Sequence, residues 1–157
     1  MENIVKKEAI LRYLSALKNL KDLKIIKNQK DFTSQLGEWV ISELYNGEIA
    51  INGKQKDWDI EKDDKYYQVK SHAKSKTTTR SDTDFKYNEN AEIDFFIIVI
   101  FSDLYKIIAI YEIPFNDAFK LKTVKNKYPV IRWKDAKHYI IDHKSKFRDN
   151  PLLNIFN

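Results

Sequence analysis

Residues 58–74 read WDIEKDDKYYQVKSHAK. Asp63-Asp64 suits a tight reversal, and the runs on either side of it, Trp58 to Glu61 and Tyr66 to His72, have the composition of short strands. Along the second strand side chains alternate faces, so Gln68, Lys70 and His72 point one way while Val69 and Ser71 point the other. Antiparallel pairing about the turn lays Asp59, at the start of the first strand, beside Gln68 and Lys70. A carboxylate and an amide oxygen are hard donors of the type Mg²⁺ takes. An ammonium next to them can stabilise charge on a phosphate or orient a water. Together they are the equipment of metal-assisted phosphodiester hydrolysis, and a strand that only fills a core needs none of the three.

Working outward, Ile4 to about Leu20 carries apolar residues at Ile10, Leu14, Leu17 and Leu20, broadened by Leu11 and Tyr13, which is helical periodicity. A second helix opens around Asp31 to Ser34, runs to Tyr45 and ends at Asn46-Gly47, both tolerant of left-handed backbone. Glu48 to Ile51 reads as a strand closed by Asn52-Gly53. Residues 73–90 are polar, with Thr77-Thr78-Thr79 and no apolar period, and read as a mobile loop. Glu92 to Phe101 and Tyr105 to Ile113 are strands whose continuous apolar runs predict a sheet covered on both faces. Pro114 to Leu121 reads as a short helix, Pro129 to Trp133 as a short strand, and Lys134 to Ile140 as a last helical turn or two. That order describes an α/β protein around a mixed sheet.

Within 157 residues, 43% apolar and 13% aromatic, the chain can bury a real core as one domain. The absence of cysteine excludes disulfides, zinc–thiolate sites and thiol nucleophiles. Ser34 and Ser71 have no His–Asp partners in the pattern, and there is no Walker loop or GxGxxG, so serine and nucleotide-driven chemistry are set aside. The charged start MENIVKKEAILRYL predicts no signal peptide, and the run Phe95 to Phe101 is too short to span a bilayer. A net charge of +5 favours an anionic partner. Residues 120–148 hold ten Lys/Arg against two Asp, interleaved with Tyr128, Trp133, His138 and Tyr139, a composition suited to a phosphate backbone.

Asp59, eight residues and then Gln68-Val69-Lys70 resemble the PD-(D/E)XK nuclease signature, in the Gln-containing form of Mrr-like restriction enzymes. TSQLGEWVISEL, residues 33–44, resembles the helix that gives those nucleases an additional acid, which would be Glu38 after Gly37. The motif's leading Pro is absent. The resemblance covers roughly residues 31–112, leaving 1–30 as an N-terminal helix and linker and 113–157 as a basic C-terminal part. It implies a restriction-endonuclease-like core of α-β-β-β-α-β type, its central mixed sheet flanked by helices, with an extra N-terminal helix. It also implies a cytoplasmic, Mg²⁺-dependent DNA endonuclease in which Mn²⁺ substitutes, working as a homodimer, of restriction type or another defence role. The alternatives are a nuclease selective for branched structures, like a junction resolvase, and a non-cleaving DNA-binding subunit of the same fold.

By that resemblance Asp59 is the central metal ligand, Gln68 takes the place of the usual acid, Lys70 is the catalytic lysine and Glu38 is a further ligand. Asp57 competes with Asp59. On a helical wheel Leu36, Trp39, Val40 and Leu44 share a face that includes Glu43 and not Glu38, so periodicity nominates Glu43 as the acid turned towards the sheet. His72, on the Lys70 face, with Lys74, Lys76 and Arg80 beyond it, is positioned to contact a DNA backbone.

Overall fold

The two longest apolar runs form paired strands, and the rest of the chain is arranged around them. The computed structural model describes residues 2–28, 30–51 and 57–157. In chain order these form α1 (Glu2–Asp22), α2 (Phe32–Tyr45), β1 (Glu48–Ile49), β2 (Ile60–Lys62), β3 (Lys65–Lys74) and β4 (Asp82–Asp84). There follow β5 (Phe95–Ser102), β6 (Ile107–Pro114), α3 (Phe115–Leu121), β7 (Thr123–Lys125), β8 (Tyr128–Arg132) and α4 (His143–Phe147), with 3₁₀ turns at Lys137–Tyr139 and Asn154–Phe156. One sheet has the order β1-β2-β3-β5-β6 and a second, smaller one the order β4-β8-β7. Among the described residues only β3 and β5 run parallel; the other neighbours are antiparallel. The protein is therefore α/β, with a mixed central sheet flanked by helices and an additional helix at its N-terminus.

Strand β5 shows why its sequence is apolar without alternation. Ile97, Val99 and Phe101 pack under α2 and against Phe147, Leu153 and Phe156 near the C-terminus. Phe96, Ile98 and Ile100 pack on the other side against Phe85, Ile131 and Trp133, which the second sheet and its flanks supply. With both faces covered there is no polar position to alternate with. Truncating fully buried Ile98 to Ala would cost about 2–5 kcal/mol.

The β2–β3 hairpin is as tight as the sequence predicts. Asp63 and Asp64 have φ of 50° and 58°, and Lys62 pairs with Lys65 across a two-residue turn of the kind that matches strand twist. Asp31 caps α2 by accepting from the Ser34 N–H at 3.2 Å, and Asn46 ends it in the left-handed region. Gly47 has a different use: a Cβ there would come within 2.7 Å of Ile60 Cγ2, so its smallness lets the helix end sit on β2.

The structure corrects one expectation and adds to two others. Residues 73–90 are not a bare loop: β3 runs to Lys74, Ser75 and Thr78 close a turn, and β4 follows as an edge of the second sheet. The crossover from β3 to β5 thus carries a strand where an α-β-β-β-α-β order has a helix. The apolar stripe of α1 is mostly unburied, with Leu17 at 8% exposure but Ile10 at 60% and Leu14 at 53%. Only its last turns meet the body, through a small cleft lined by Tyr13, Ala16, Leu17, Leu20 and Phe32. The helix carries exposed i,i+4 ion pairs such as Lys6–Glu2 and Lys18–Asp22, which support it locally. Finally, α4 and the turn after it add Phe147 and Phe156 to the core under α2. The turn expected at Asn52-Gly53 lies outside the described residues. Among the described residues, no helix is long and apolar enough to cross a membrane.

Candidate active site

Asp59 ends the β2–β3 ladder with its side chain. Its N–H donates to the Tyr67 carbonyl at 2.9 Å, and its own carbonyl accepts from Ala50 N–H at 2.8 Å, continuing the pairing with the β1 side. Beyond it the strands part, and carboxylate oxygen Oδ2 takes over the role of a strand carbonyl, accepting from the Val69 N–H at 2.8 Å. The same oxygen accepts from Gln68 Nε2 at 2.6 Å. A glutamate at 68 would set two like charges against each other here, whereas the amide converts that contact into a hydrogen bond. Gln68 is nearly buried, at 6% exposure, and its amide nitrogen also lies 3.3 Å from the Val69 carbonyl. Burial pushes the Asp59 carboxyl above the usual carboxylate range, opposed by the Val69 N–H and by the positive charges of Lys70 and Lys27.

Glu38 converges on the same place from α2. Burial and then the negative charge of Asp59 raise its pKa to about 7, while Lys27 and Lys70 pull it down. Two carboxylates and two ammonium groups therefore share one electrostatic neighbourhood. What brings Glu38 there is its neighbour: a Cβ on Gly37 would stand 1.8 Å from Ser71 Oγ, so the bare glycine lets α2 lie directly on β3. Glu43, five residues on and so about 140° round the helix, belongs to the flank where Trp39 meets Phe156. The helical wheel misses this because the buried face is centred on Gly37, Val40 and Ile41, a glycine having no apolar side chain to announce it.

The remaining candidates divide. Asp57 accepts from the Glu92 N–H at 3.1 Å, tying it to the loop before β5. His72 turns into the packing between the sheets, where its Nε2 is 2.9 Å from Thr83 Oγ1 and its ring 5.5 Å from that of Trp133. Burial, then the charge of Arg80, lower its pKa to about 4, so at neutral pH it is an uncharged hydrogen-bonding partner rather than a cation for a phosphate. Lys74 lies over the Trp133 ring at 5.7 Å, and Lys76 is exposed in the turn after β3. Arg80 is partly engaged, donating to the Asp82 carbonyl at 2.9 Å and lying 3.5 Å from Asp84. Among the described residues Ser71 Oγ is buried without a hydrogen-bond partner, and neither it nor Ser34 bonds a histidine.

Two residues at the site escape sequence reasoning. Lys27 comes from the linker between α1 and α2, one lysine in the Lys-rich run KIIKNQK, and no pattern sets it apart. Tyr87, packed on Phe85 and Phe96, has its hydroxyl pKa raised by burial and then by the charges of Asp59 and Asp57. Its alternation with Thr83 and Phe85 is the signal that identifies the strand before it.

Among the described residues no three His, Cys, Asp or Glu side chains converge as a metal-binding group. The donor set is two carboxylates with one amide, all hard oxygen, which fits a divalent cation that keeps several waters, as Mg²⁺ does. Neither a scan of protein-family models nor a search of curated proteins yields a match to the chain.

Proposed function

We propose that the protein is a Mg²⁺-dependent endodeoxyribonuclease of the PD-(D/E)XK kind, cytoplasmic and acting as a homodimer, with a restriction-type or other defence role. The observation that carries this reading is the convergence of Asp59, bonded to Gln68, with Glu38 and Lys70. Asp59, Glu38 and the Gln68 carbonyl would hold the cation; because Gln68 gives its amide nitrogen to Asp59, the carbonyl end is the one left to donate. Mg²⁺ bound there supplies Lewis-acid stabilisation of charge on the phosphate and activation of water. Lys70 orients the attacking water in line with the scissile phosphorus and offsets charge on the phosphate oxygens. The Val69 N–H fixes the Asp59 carboxylate, so the acid is held without rearrangement during the reaction. The basic side chains after β3 and in residues 120–148 seat the backbone.

The deciding experiment incubates purified protein with duplex DNA and Mg²⁺ or Mn²⁺. Cutting that EDTA stops and that Lys70→Ala abolishes supports the reading; undiminished cutting by Lys70→Ala refutes it. A four-way junction and an RNA duplex, run in parallel, identify a structure-selective or RNA-directed enzyme. One observation favours a second reading, a non-cleaving DNA-binding subunit: the amide at position 68 leaves the site one negative charge short of a three-acid centre. Salt-sensitive DNA binding with no cleavage under any divalent metal would select it.

A further inference from the structure

Lys27 is built into the site with unusual care for an exposed lysine. Ile26 beside it is buried at 2% exposure and pins the linker. The Lys27 N–H donates to Gln35 Oε1 at 2.5 Å, and the Gln35 amide in turn donates to the Asn28 carbonyl at 3.1 Å. Gln35 lies one turn before Glu38 on α2, so the linker is fastened to the helix that carries that acid. At the other end the Lys27 ammonium donates to the Ala50 carbonyl at 3.1 Å. The N–H of that same Ala50 bonds the backbone of Asp59. Lys27 is thus tethered at its backbone and at its ammonium, where its charge acts on both acids.

Among the described residues it makes no salt bridge with either carboxylate. An ammonium has three donors, and the Ala50 carbonyl uses one. A lysine present only to neutralise Glu38 and Asp59 would close on one of them. We propose that Lys27 is a second phosphate-binding cation of this site, donating to a non-bridging oxygen of the DNA backbone alongside Lys70. The inference rests on the nuclease reading for its substrate class. With both acids ionised, Lys27 and Lys70 cancel them, so a divalent ion leaves the site at a net charge of +2 to face the singly charged phosphodiester. Without Lys27 that excess is halved.

The test uses the full chain carrying Lys27→Ala or Lys27→Arg, with binding of a short duplex measured over a range of salt and cleavage measured with Mg²⁺. Lys27→Ala is expected to reduce the slope of log affinity against log salt by about one, and to raise KM for the duplex. Lys27→Arg restores the slope, because it replaces the charge and the donors. A Lys27→Ala slope equal to wild type overturns the assignment. So does a loss that arginine fails to restore, since anchoring the linker would then explain it. If the wild type binds DNA without cutting it, hydrolysis falls and the slope comparison still decides Lys27. If the wild type does not bind DNA, both readings fall.

Discussion

Replacing Gly37 by alanine tests how the helix–strand contact and the site depend on each other. An added Cβ would lie 1.8 Å from Ser71 Oγ and 2.8 Å from Ser71 Cβ. Rotating the hydroxyl away relieves the first clash and not the second, because Cβ is fixed by the strand backbone. Carbon atoms settle at about 3.5–4.0 Å, so α2 must rise from β3 by roughly 1 Å. Overpacking of this kind costs about 1–3 kcal/mol, and alanine's better helix propensity returns about 1 kcal/mol. A net loss of up to roughly 2 kcal/mol should appear as a lower urea midpoint with an unchanged m-value. Because Glu38 is the next residue, a displacement of about 1 Å should also slow cleavage by up to roughly a hundredfold. Ser71→Gly removes both clashing atoms, so the double variant should recover stability and rate beyond the sum of the single effects, with a coupling of about 1–3 kcal/mol. An additive cycle would refute the close contact as the reason for glycine at position 37.

Other consequences are open to measurement. Glu38 holds its proton more tightly when folded, about 7 against an ordinary 4.5, so its contribution to stability is complete below pH 4.5 and is lost as pH rises through 7. The full difference is about 3 kcal/mol, which solvent screening at a half-buried position reduces to roughly 1–2 kcal/mol. His72, lowered to about 4 from 6.5, does the opposite: its contribution is complete above pH 6.5 and is lost as pH falls through 4. Urea midpoints between pH 4.5 and 6.5 should therefore rise with pH in Glu38→Gln and fall in His72→Asn, relative to the wild type; parallel profiles in all three would sink the assignment. Mg²⁺ at about a hundred times its Kd should raise the thermal midpoint by roughly 5–10 °C. EDTA should reverse that gain and Asp59→Asn should remove it; an unchanged shift in Asp59→Asn would place the cation elsewhere.

The elements read correctly from sequence are those whose signal is local. The continuous apolar runs of β5 and β6, the Asp63-Asp64 reversal and the Asn46 helix end each need only a few neighbouring residues to be recognised. Strand β4 is harder, because Ser81-Asp82-Thr83-Asp84 is polar throughout and only the spacing of Thr83, Phe85 and Tyr87 betrays an inward face. Thr83, at 1% exposure, is buried by virtue of its bonds to His72 and the Trp133 indole, partners far away in the chain. The same holds at the site. The Asp59–Gln68 contact follows from hairpin register and was legible. The choice between Glu38 and Glu43 turned on a glycine, and Lys27 on a linker whose path is set by Gln35. Periodicity encodes neither.

Asp59 and Lys70 have unequal standing in the architecture. The carboxylate satisfies Val69 and Gln68, so trimming it to alanine would orphan two donors at the mouth of the hairpin. Among the described residues Lys70 forms no salt bridge, and no hydrogen-bonding duty of the hairpin falls to it. On the proposed nuclease reading, chemistry and foldedness are thus separable at one position and fused at the other. A lineage drifting from cutting to mere binding would shed the lysine early and keep the aspartate, or its amide, for long afterwards.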